Sequence, residues 1–392
     1  MYYHSMTVRW LIAALAVSVA TPGAAFDKAV WKADYARLKV ALAQNYANFD
    51  WQVDHRGINL KGADSFITDM LDKAEDDTAA TLAIVKLVEA FDDPHLDLRA
   101  GPPAADAQAV PSSSMVAGPD APASGCDAAG YRDGRAATRL PYPSAPGWIE
   151  VSAAPFQAGL IGDIGIIRIP AFGEDQYRTA CTAVAKTGTS ERDLQLATRA
   201  ALNRQLIGLV HSLQQRGMKR LVIDISRNGG GSEWSSEAIT IFAPGTLTRN
   251  EPRRVGPSCD RSSLWRGEKP GCTAYQDGIR KETTAASPGE NAWSGPLAIL
   301  ADHRTASAAE EFITWARDNR RAVMGGERTS GAGCGYMDGG SAFAFRAVSM
   351  HLMIPNCSRF TRDGINEIEG QQPDLVIDWP TLRPEMVKPT LD

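Results

Sequence analysis

Between residues 28 and 91 the apolar positions recur every three or four residues, which is the spacing of amphipathic helices. The first series consists of Trp31, Tyr35, Leu38, Leu42 and Tyr46, and the second of Phe66, Met70, Leu71 and Ala74. A third series covers residues 78–91, with Thr78 or Thr81 as the expected N-cap. Because the connections between these series are short, they predict a small helical bundle over residues 26–100.

From residue 148 onwards, short continuous apolar runs alternate with longer segments of helical spacing. This alternation predicts a layered α/β core with βαβ connections and right-handed crossovers. Gly162 and Gly165 are expected to be tolerated inside the first strand, and residues 341–354 to form a hairpin or paired strands. Strands are expected at residues 161–169, 220–225, 297–301 and 322–325, and helices at residues 194–214, 235–242 and 306–317.

Two stretches interrupt these patterns. Residues 101–155 begin with a long run rich in Pro, Ala, Ser, Gly and Asp, which is typical of a linker or covering segment. The run is too short, and too poor in alternating strands, to hold an inserted peptide-binding module of the PDZ kind. A polar, cysteine-bearing insertion at residues 250–293 divides the core, which is expected to span residues 156–385.

The N-terminus has the pattern of an export signal. Arg9 provides a positive charge, residues 10–20 are apolar, and residues 22–25 are small. A membrane anchor is the alternative, but the apolar run is well short of the ~20 residues that a span requires. We therefore expect residues 1–25 to be a cleaved signal peptide and the mature protein, starting near Phe26, to be periplasmic or secreted.

The charge balance excludes some classes of partner. A formal net charge of −5 argues against a nucleic-acid-binding footprint. No block of Lys and Arg and no basic amphipathic helix points to a membrane surface, and no later segment could span a bilayer. The sequence leaves the oligomeric state open.

Six cysteines remain after the expected signal, and an even number in an exported chain favours disulfides. Six cysteines can pair in 15 ways, and three of their possible pairs are favoured here by position. These are Cys259 with Cys272, Cys334 with Cys357, and, as the remainder, Cys126 with Cys181. No CxxC, HxH or HExxH spacing occurs, so neither a metal site nor another cofactor is expected.

Candidate chemistry is concentrated in two stretches. Ser307 lies where the apolar run 297–300 gives way to a helix, and the run 221–225 ends in a glycine loop at residues 228–231. A hydroxyl at a helix start beside bare main-chain amides offers the nucleophile and the oxyanion site that acyl transfer requires. The same pattern fits a capping box between Ser307 and Glu310, and on the local pattern alone capping is favoured. The GxSxG motif of α/β-hydrolases and the GxxxxGK[ST] motif of phosphate loops are both absent.

Six short motifs follow one another along the chain. They are FDDPH (91–95), IGIIRIP (164–170), IDISRNGGG (223–231), TASAAE (305–310), GGERTSG (325–331) and EIEGQQPD (367–374). In this order they resemble the S41 family, which comprises the C-terminal processing (tail-specific) and tricorn-core peptidases. The resemblance covers most of the chain after the signal. It implies a ClpP/crotonase-like αββ core preceded by a small N-terminal helical domain, without a PDZ insert, and endopeptidase activity.

The tail-specific branch of that family pairs its serine with a lysine, in the loop that here reads TSGAG (329–333). Ala332 occupies the place of the lysine, and no lysine occurs between Ser307 and Lys388. The chain therefore resembles the tricorn-type branch, in which a histidine is the base and a glutamate supports the site.

This resemblance implies a base at His95 and a supporting glutamate at Glu367. Glu367 lies six residues before Pro373, as the family spacing requires, whereas Glu369 does not fit. The tricorn-type site carries a serine immediately before its histidine, but this chain has Pro94 there. The group that orients the base is therefore left open.

Three candidates remain for orienting His95, namely Asp93, Asp97 and a backbone carbonyl. His303, four residues before Ser307, is the rival base. A histidine suits the task because its pKa of ~6.5 lets it deprotonate a serine near neutral pH. The other histidines of the expected mature chain carry no motif and are expected to be structural: His55, His211 and His351.

We therefore expect an exported serine endopeptidase that acts on peptide or protein substrates. Ser307 would attack the scissile carbonyl, His95 would take its proton, and Glu367 would help to orient the site. The oxyanion would be held by the amides of Gly230 or Gly229 and of Ala308. The alternative is a non-catalytic peptide- or apolar-ligand-binding protein on the same scaffold, which the missing lysine and the unusual proline support. A distance of ~2.6–3.2 Å between the serine and histidine side chains would favour the enzyme.

Overall fold

The computed structural model describes residues 26–103, 125–134, 138–255, 259–272, 282–284, 291–337 and 339–392. The expected signal peptide, residues 1–25, lies outside the described residues. So do residues 104–124 of the expected linker and parts of the polar insertion.

Four helices form the N-terminal region: α1 (Lys28–Asn45), α2 (Phe49–Asp54), α3 (Leu60–Lys73) and α4 (Asp77–Phe91). The five residues of the first apolar series are all buried, as their helical spacing predicts. Phe66 departs from its series because it lies 56% exposed on α3, whose buried face is formed by Leu60, Ile67 and Leu71.

The N-cap of α4 also differs from the prediction. The side chain of Asp76 accepts a hydrogen bond from the amide of Ala79 at 2.7 Å, so neither Thr78 nor Thr81 caps this helix. An aspartate one position before the helix satisfies a free amide and places its negative charge at the positive end of the helix dipole.

The rest of the chain is mixed α/β. Its helices are α5 (Arg178–Val184), α6 (Glu191–Gln215), α7 (Trp234–Phe242), α8 (Ala308–Asp318) and α9 (Val387–Leu391). Its strands are β1 (Asp97–Ala100), β2 (Trp148–Ser152), β3 (Ala158–Ile161), β4 (Ile164–Arg168), β5 (Arg220–Asp224), β6 (Thr248–Asn250), β7 (Arg253–Arg254), β8 (Glu282–Thr284), β9 (Leu297–Ala301), β10 (Val323–Gly326), β11 (Ser341–Ala344), β12 (Met350–Ile354), β13 (Cys357–Ser358) and β14 (Leu375–Val376).

A seven-stranded sheet forms the centre of this region, in the order β14-β10-β9-β5-β4-β3-β2. The strands from β14 to β4 are parallel, and β3 and β2 continue the sheet in antiparallel fashion. The α/β prediction, with a helical region before a layered core, is therefore confirmed. The described residues contain no inserted PDZ-like module.

Both faces of the sheet are covered, because neighbouring residues of its central strands enter two different apolar clusters. Ile223 of β5 and Ile299 of β9 pack with α6, α7 and α8 on one face. Val222 and Leu300, which point the other way, pack with Trp379 and the C-terminal segment. Burial on both faces explains why these strands read as continuous apolar runs.

The predicted strand at residues 161–169 is wrong in one respect, because the structure divides the segment between β3 and β4. Gly162 adopts a φ of 63° and closes a tight turn in which Ile161 pairs with Ile164. Glycine reaches this left-handed conformation without steric cost, so it allows the chain to reverse rather than continue.

A second, three-stranded antiparallel sheet has the order β1-β12-β11. The predicted hairpin at residues 341–354 is present as β11 and β12, but β1 was not predicted. Phe343 and Leu352 of this sheet pack in one apolar cluster with the helices α1 to α4. The N-terminal helices thus share one apolar core with the strands β11 and β12, which lie about 250 residues later in the sequence.

Three disulfides join Cys126 to Cys181, Cys259 to Cys272, and Cys334 to Cys357. This is the pairing that the sequence favours. None of the helices in the described part combines the length and the apolar character that a membrane span needs.

Candidate active site

The strands β5 and β9 are parallel neighbours in the large sheet, so the loops that follow them lie at the same edge of the sheet. Asp302, which follows β9, accepts hydrogen bonds through Oδ1 from the amides of Arg227, at 2.8 Å, and Arg304, at 3.0 Å. The amide of Ala306 donates to the carbonyl of Asn228 at 3.0 Å. These bonds hold the glycine loop after β5 against the segment that leads into α8.

Ser307 is the N-cap residue of α8, with φ 56° and ψ −120°. A side chain in this sparsely populated region costs on the order of 1–3 kcal/mol, and such strain concentrates at functional sites. Ser307 and Glu310 occupy the capping-box positions, and the Glu310 carboxylate accepts the Ser307 amide at 2.9 Å. The amide of Glu310 donates to the Ser307 carbonyl oxygen at 2.9 Å, so it does not depend on the Ser307 hydroxyl, which faces another partner as well.

That partner is His95. Its Nε2 atom lies 3.1 Å from Ser307 Oγ, and its Nδ1 atom lies 2.9 Å from the carbonyl oxygen of Ala332. The ring is further confined by Tyr336, which packs edge-on with ring centroids 5.3 Å apart. The segment from the end of α4 to β1 places the imidazole here, because Asp92 turns the chain through a left-handed φ of 46°.

The structure distinguishes the three candidates for orienting this imidazole. Asp93 accepts the main-chain amide of His95 at 2.9 Å and the Tyr46 hydroxyl at 2.7 Å, and Asp97 pairs with Arg99. The group that contacts the ring is therefore a backbone carbonyl. A proton on Nδ1 donated to that carbonyl leaves Nε2 as an acceptor facing the serine.

Burial lowers the pKa of His95 from its ordinary value of 6.5, because an imidazolium loses hydration in this environment. The nearby Asp93 carboxylate and the hydrogen bond to Ala332 oppose this shift but do not cancel it. The neutral imidazole, the form that can accept a proton, is therefore favoured.

The glycine loop lies directly against the serine. A Cβ atom built on Gly230 would lie 2.8 Å from the Ala308 nitrogen and 2.8 Å from Ser307 Cβ, so only glycine fits there. The Gly230 amide itself donates to the side chain of Asn228 at 2.9 Å. Within the described part of the chain, the amides of Gly229 and Ala308 donate to no protein acceptor.

Glu367 is buried near the site, but its hydrogen-bonding partner is an arginine. Its Oε2 atom accepts from Arg359 Nε at 2.7 Å. Arg359 also donates to the carbonyl oxygens of Ser307, at 3.1 Å, and Gly333, at 2.8 Å, and to Glu311 at 2.7 Å. Glu367 is therefore linked to the Ser307 backbone and to the loop beside His95 only indirectly, through Arg359. Burial acts to lower the pKa of Arg359, but the two carboxylates outweigh burial and raise it.

Residues 163–376, more than half of the chain, match the model of peptidase family S41. The chain belongs to peptidase family S41. The matched segment contains Ser307 and Glu367, whereas His95 lies before it. No curated protein gives a significant sequence match.

Several solved structures are similar to this S41 peptidase in fold. Mature CPAF is 13% identical with a TM-score of 0.62, over 93% of this chain and 96% of that one. A putative peptidase from Parabacteroides merdae ATCC 43184 is 13% identical with a TM-score of 0.56, over 92% and 95% of the two chains. At such identities the likeness establishes the fold alone, and it extends over nearly the whole length of each chain.

Three residues of the candidate site could not be predicted from the sequence in the roles that they have here. Arg359 belongs to no motif, and Glu310 was considered only for helix capping. Gly335 packs against the histidine, because a Cβ atom at this position would lie 2.6 Å from His95 Nε2. The contacts of all three join segments far apart in sequence, and no periodicity or local spacing could have revealed them.

His303, the rival base, lies elsewhere on the same edge of the sheet. It is exposed, and its Nδ1 atom lies 2.7 Å from the Glu327 carboxylate. With Asp302 these two residues form a group whose ligand atoms lie within 4.8 Å of one another. The guanidinium of Arg139 lies 3.0 Å from Glu327 and 3.7 Å from Asp302, so it already supplies a positive charge where a cation would bind.

Proposed function

We propose that this S41 peptidase is an exported serine endopeptidase with Ser307 as nucleophile and His95 as general base. The observation that carries the proposal is the 3.1 Å distance between Ser307 Oγ and His95 Nε2. The strained backbone of the serine and the lowered pKa of the histidine support it.

The geometry suits a two-step acyl transfer. Ser307 Oγ attacks the scissile carbonyl carbon while its proton passes to His95 Nε2. The C–N bond then breaks, and the leaving amine takes that proton. A water molecule then attacks the acyl carbon and gives one proton to the same nitrogen. The acyl–Oγ bond breaks, Ser307 Oγ takes that proton back from His95, and the peptide acid is released.

The negative charge that develops on the carbonyl oxygen needs preorganised donors. We assign this task to the amides of Gly229 and Ala308, since the amide of Gly230 has Asn228 as its acceptor. The Ala308 amide is at the first position of α8, where the helix dipole adds positive potential. Donors of this kind are worth roughly 3 kcal/mol each in the transition state.

The chain has no lysine at the position where the tail-specific branch has its catalytic lysine, which supports placing the chain in the tricorn-type branch. Ala332 stands where the tail-specific branch has its lysine, and its carbonyl oxygen lies 2.9 Å from His95 Nδ1. Glu367 would then support the site through Arg359 rather than by touching the histidine.

Export rests on separate observations. Three disulfides are typical of proteins outside the cytoplasm. The pattern of residues 1–25 favours a periplasmic or secreted protein. N-terminal sequencing of protein recovered from the exported fraction should give a start near Phe26, and retention of residues 1–25 would argue against cleavage.

The enzymatic proposal is tested by labelling with a fluorophosphonate and by cleavage of a peptide library. Wild type and His303→Asn should label and cleave, whereas Ser307→Ala should do neither. His95→Asn should lower kcat by about 10²–10⁴-fold, the usual contribution of a general base. Labelling of Ser307→Ala would reject the nucleophile. Peptide binding by folded wild type without labelling would instead support the non-catalytic alternative.

A further inference from the structure

The base of this site is oriented without a carboxylate. Among the described residues, the partners of the His95 ring nitrogens are Ser307 Oγ and the carbonyl oxygen of Ala332. The usual task of a triad acid is to fix the tautomer and direction of the imidazole. Here that task falls to one peptide carbonyl, so its position must itself be fixed.

The segment that carries this carbonyl would be mobile by itself, because Gly331 and Gly333 flank Ala332 at left-handed φ values of 79° and 59°. The fully buried carboxylate of Glu310 immobilises it. Glu310 accepts the Thr329 hydroxyl at 2.5 Å and the amides of Gly331, at 2.7 Å, Ala332, at 2.9 Å, and Gly333, at 3.1 Å. Three successive amides directed at one anion form a concave cradle.

The amide of Gly333 determines the direction of the carbonyl. The Ala332 carbonyl and the Gly333 N–H belong to the same peptide group, and in a planar trans peptide they point in opposite directions. The bond from that N–H to Glu310 therefore aims the carbonyl away from the carboxylate, toward His95 Nδ1.

The same carboxylate also holds the nucleophile. Glu310 lies in the first turn of α8, and its Oε2 atom accepts the amide of Ser307 at 2.9 Å. One side chain thus connects the backbone of Ser307 with the loop that orients His95. Glu367 supports the opposite side of that loop, because Arg359 donates to the Gly333 carbonyl at 2.8 Å.

We propose that Glu310 is a positioning residue of the peptidase reaction, setting the Nδ1–H tautomer of His95 through the Ala332 carbonyl. The proposal rests on the proposed Ser307 and His95 chemistry. It assigns to the capping glutamate of α8 the orienting role that a triad acid has elsewhere.

Glu310→Gln is the principal variant. Glutamine keeps the volume, but its NH₂ group cannot accept the amides that one carboxylate oxygen accepts. We expect kcat to fall by about 10²-fold, the effect of an error of about 1 Å in placing a catalytic group, with KM changed by less than about threefold. Glu191→Gln, an exposed first-turn glutamate of α6, is the matched control and should keep the wild-type kcat.

The tautomer gives a measurement that a merely structural role would not move. In ¹⁵N-histidine-labelled wild type above the His95 pKa, the ring should be in the Nδ1–H tautomer. In Glu310→Gln the Nε2–H tautomer should gain population. An Nε2–H tautomer in wild type, or a loss of kcat in the variant with an unchanged tautomer, overturns the proposal.

A second pair of variants covers the case in which Glu310→Gln does not fold. Thr329→Val removes a donor to Glu310 and should lower kcat, whereas Thr329→Ser restores the hydroxyl and should recover the lost rate. Equal kcat values for the two variants overturn the proposal. If wild type neither reacts with the fluorophosphonate nor cleaves peptides, the proposed function itself is rejected. Failure of the Glu310 proposal can therefore be distinguished from failure of the proposed peptidase function.

Discussion

The Oγ atom of Ser307 lies 3.1 Å from the Nε2 atom of His95, although 212 residues separate them in the chain. Arg56 shows why no hinge has to close for them to meet. It donates to the carbonyls of Asp92, at 3.1 Å, and Ile368, and its Nε lies 3.1 Å from the Glu369 carboxylate. This arginine fastens the segment that carries the histidine to the core beside the serine.

The environment of His95 predicts the pH dependence of the reaction. Only the neutral imidazole accepts the serine proton, and burial lowers its pKa below the ordinary value of 6.5. The acid limb of kcat/KM should therefore have its midpoint below that value. A profile from about pH 4 to about pH 9 measures it, with His303→Asn as the control that keeps the same midpoint. A midpoint above 6.5 would contradict the prediction.

The same shift affects stability in a defined direction. Because the folded-state pKa of His95 is lowered, the unfolded chain binds its proton more readily than the folded protein does. The contribution to stability is complete above the unfolded pKa and is lost as the pH falls through the folded pKa. In denaturant unfolding, wild type should therefore lose stability relative to His95→Asn as the pH falls from neutral to acid, and a constant difference between the two would contradict this prediction.

A third prediction concerns the close approach of Gly230 to the start of α8. Alanine there would place Cβ 2.8 Å from the Ala308 nitrogen and must adopt a φ of 99°. We expect Gly230→Ala to displace the Ala308 amide and to lower kcat by about 10²–10³-fold, the cost of losing one oxyanion donor.

Gly217→Ala is the matched control for this variant. Gly217 has a similar φ of 94°, but nothing lies within 4 Å of its Cβ position, so it tests backbone strain without the steric contact. It should lower thermal stability by an amount on the order of 1 kcal/mol and leave kcat unchanged. Similar kcat values for the two variants would place the oxyanion site elsewhere.

Local sequence signals were sufficient for the elements that depend on local order. Helical spacing located α1 and α4, and continuous apolar runs located β5 and β9, because burial on one or two faces leaves those patterns. The pairing of Ser307 with His95 was predicted from the order of the motifs. The sequence predicts Gly162 only as a tolerated strand residue, since it does not reveal whether a glycine adopts a left-handed φ.

The residues that support the site could not be predicted from such local signals. Glu310 contacts amides 21 to 23 residues away, and Arg359 joins two carboxylates with two backbone carbonyls. These contacts exist only once the loops after β9 and β10 meet at one sheet edge. The four-residue strand β1 was missed for a similar reason, because its ladder partner lies more than 200 residues away.

A fourth prediction concerns Gly335, which leaves room for the imidazole. Alanine at this position would place Cβ 2.6 Å from His95 Cδ2 and Nε2 and would push the ring away from Ser307. We expect kcat to fall by about 10²-fold with a smaller change in KM. Gly208→Ala, in α6 with open space around its Cβ position, should gain about 0.5–1 kcal/mol of stability and keep kcat. An unchanged kcat in Gly335→Ala would mean that the ring is not held in this position during the reaction.

The last prediction separates a cross-link that supports the site from one that does not. Cys334 follows Gly333, whose amide and carbonyl are both held in the site, and Cys357 lies two residues before Arg359. Alanine at both cysteines should cost about 3 kcal/mol in the free energy of unfolding and also lower kcat of the folded fraction. The paired control replaces Cys259 and Cys272, which close a loop of 13 rather than 23 residues. By loop entropy the two stability losses should differ by only about 0.5 kcal/mol. A difference in kcat between the two double variants therefore reflects the position of the cross-link and not its contribution to stability. Equal kcat values would show that the loop carrying Ala332 keeps its place without the disulfide.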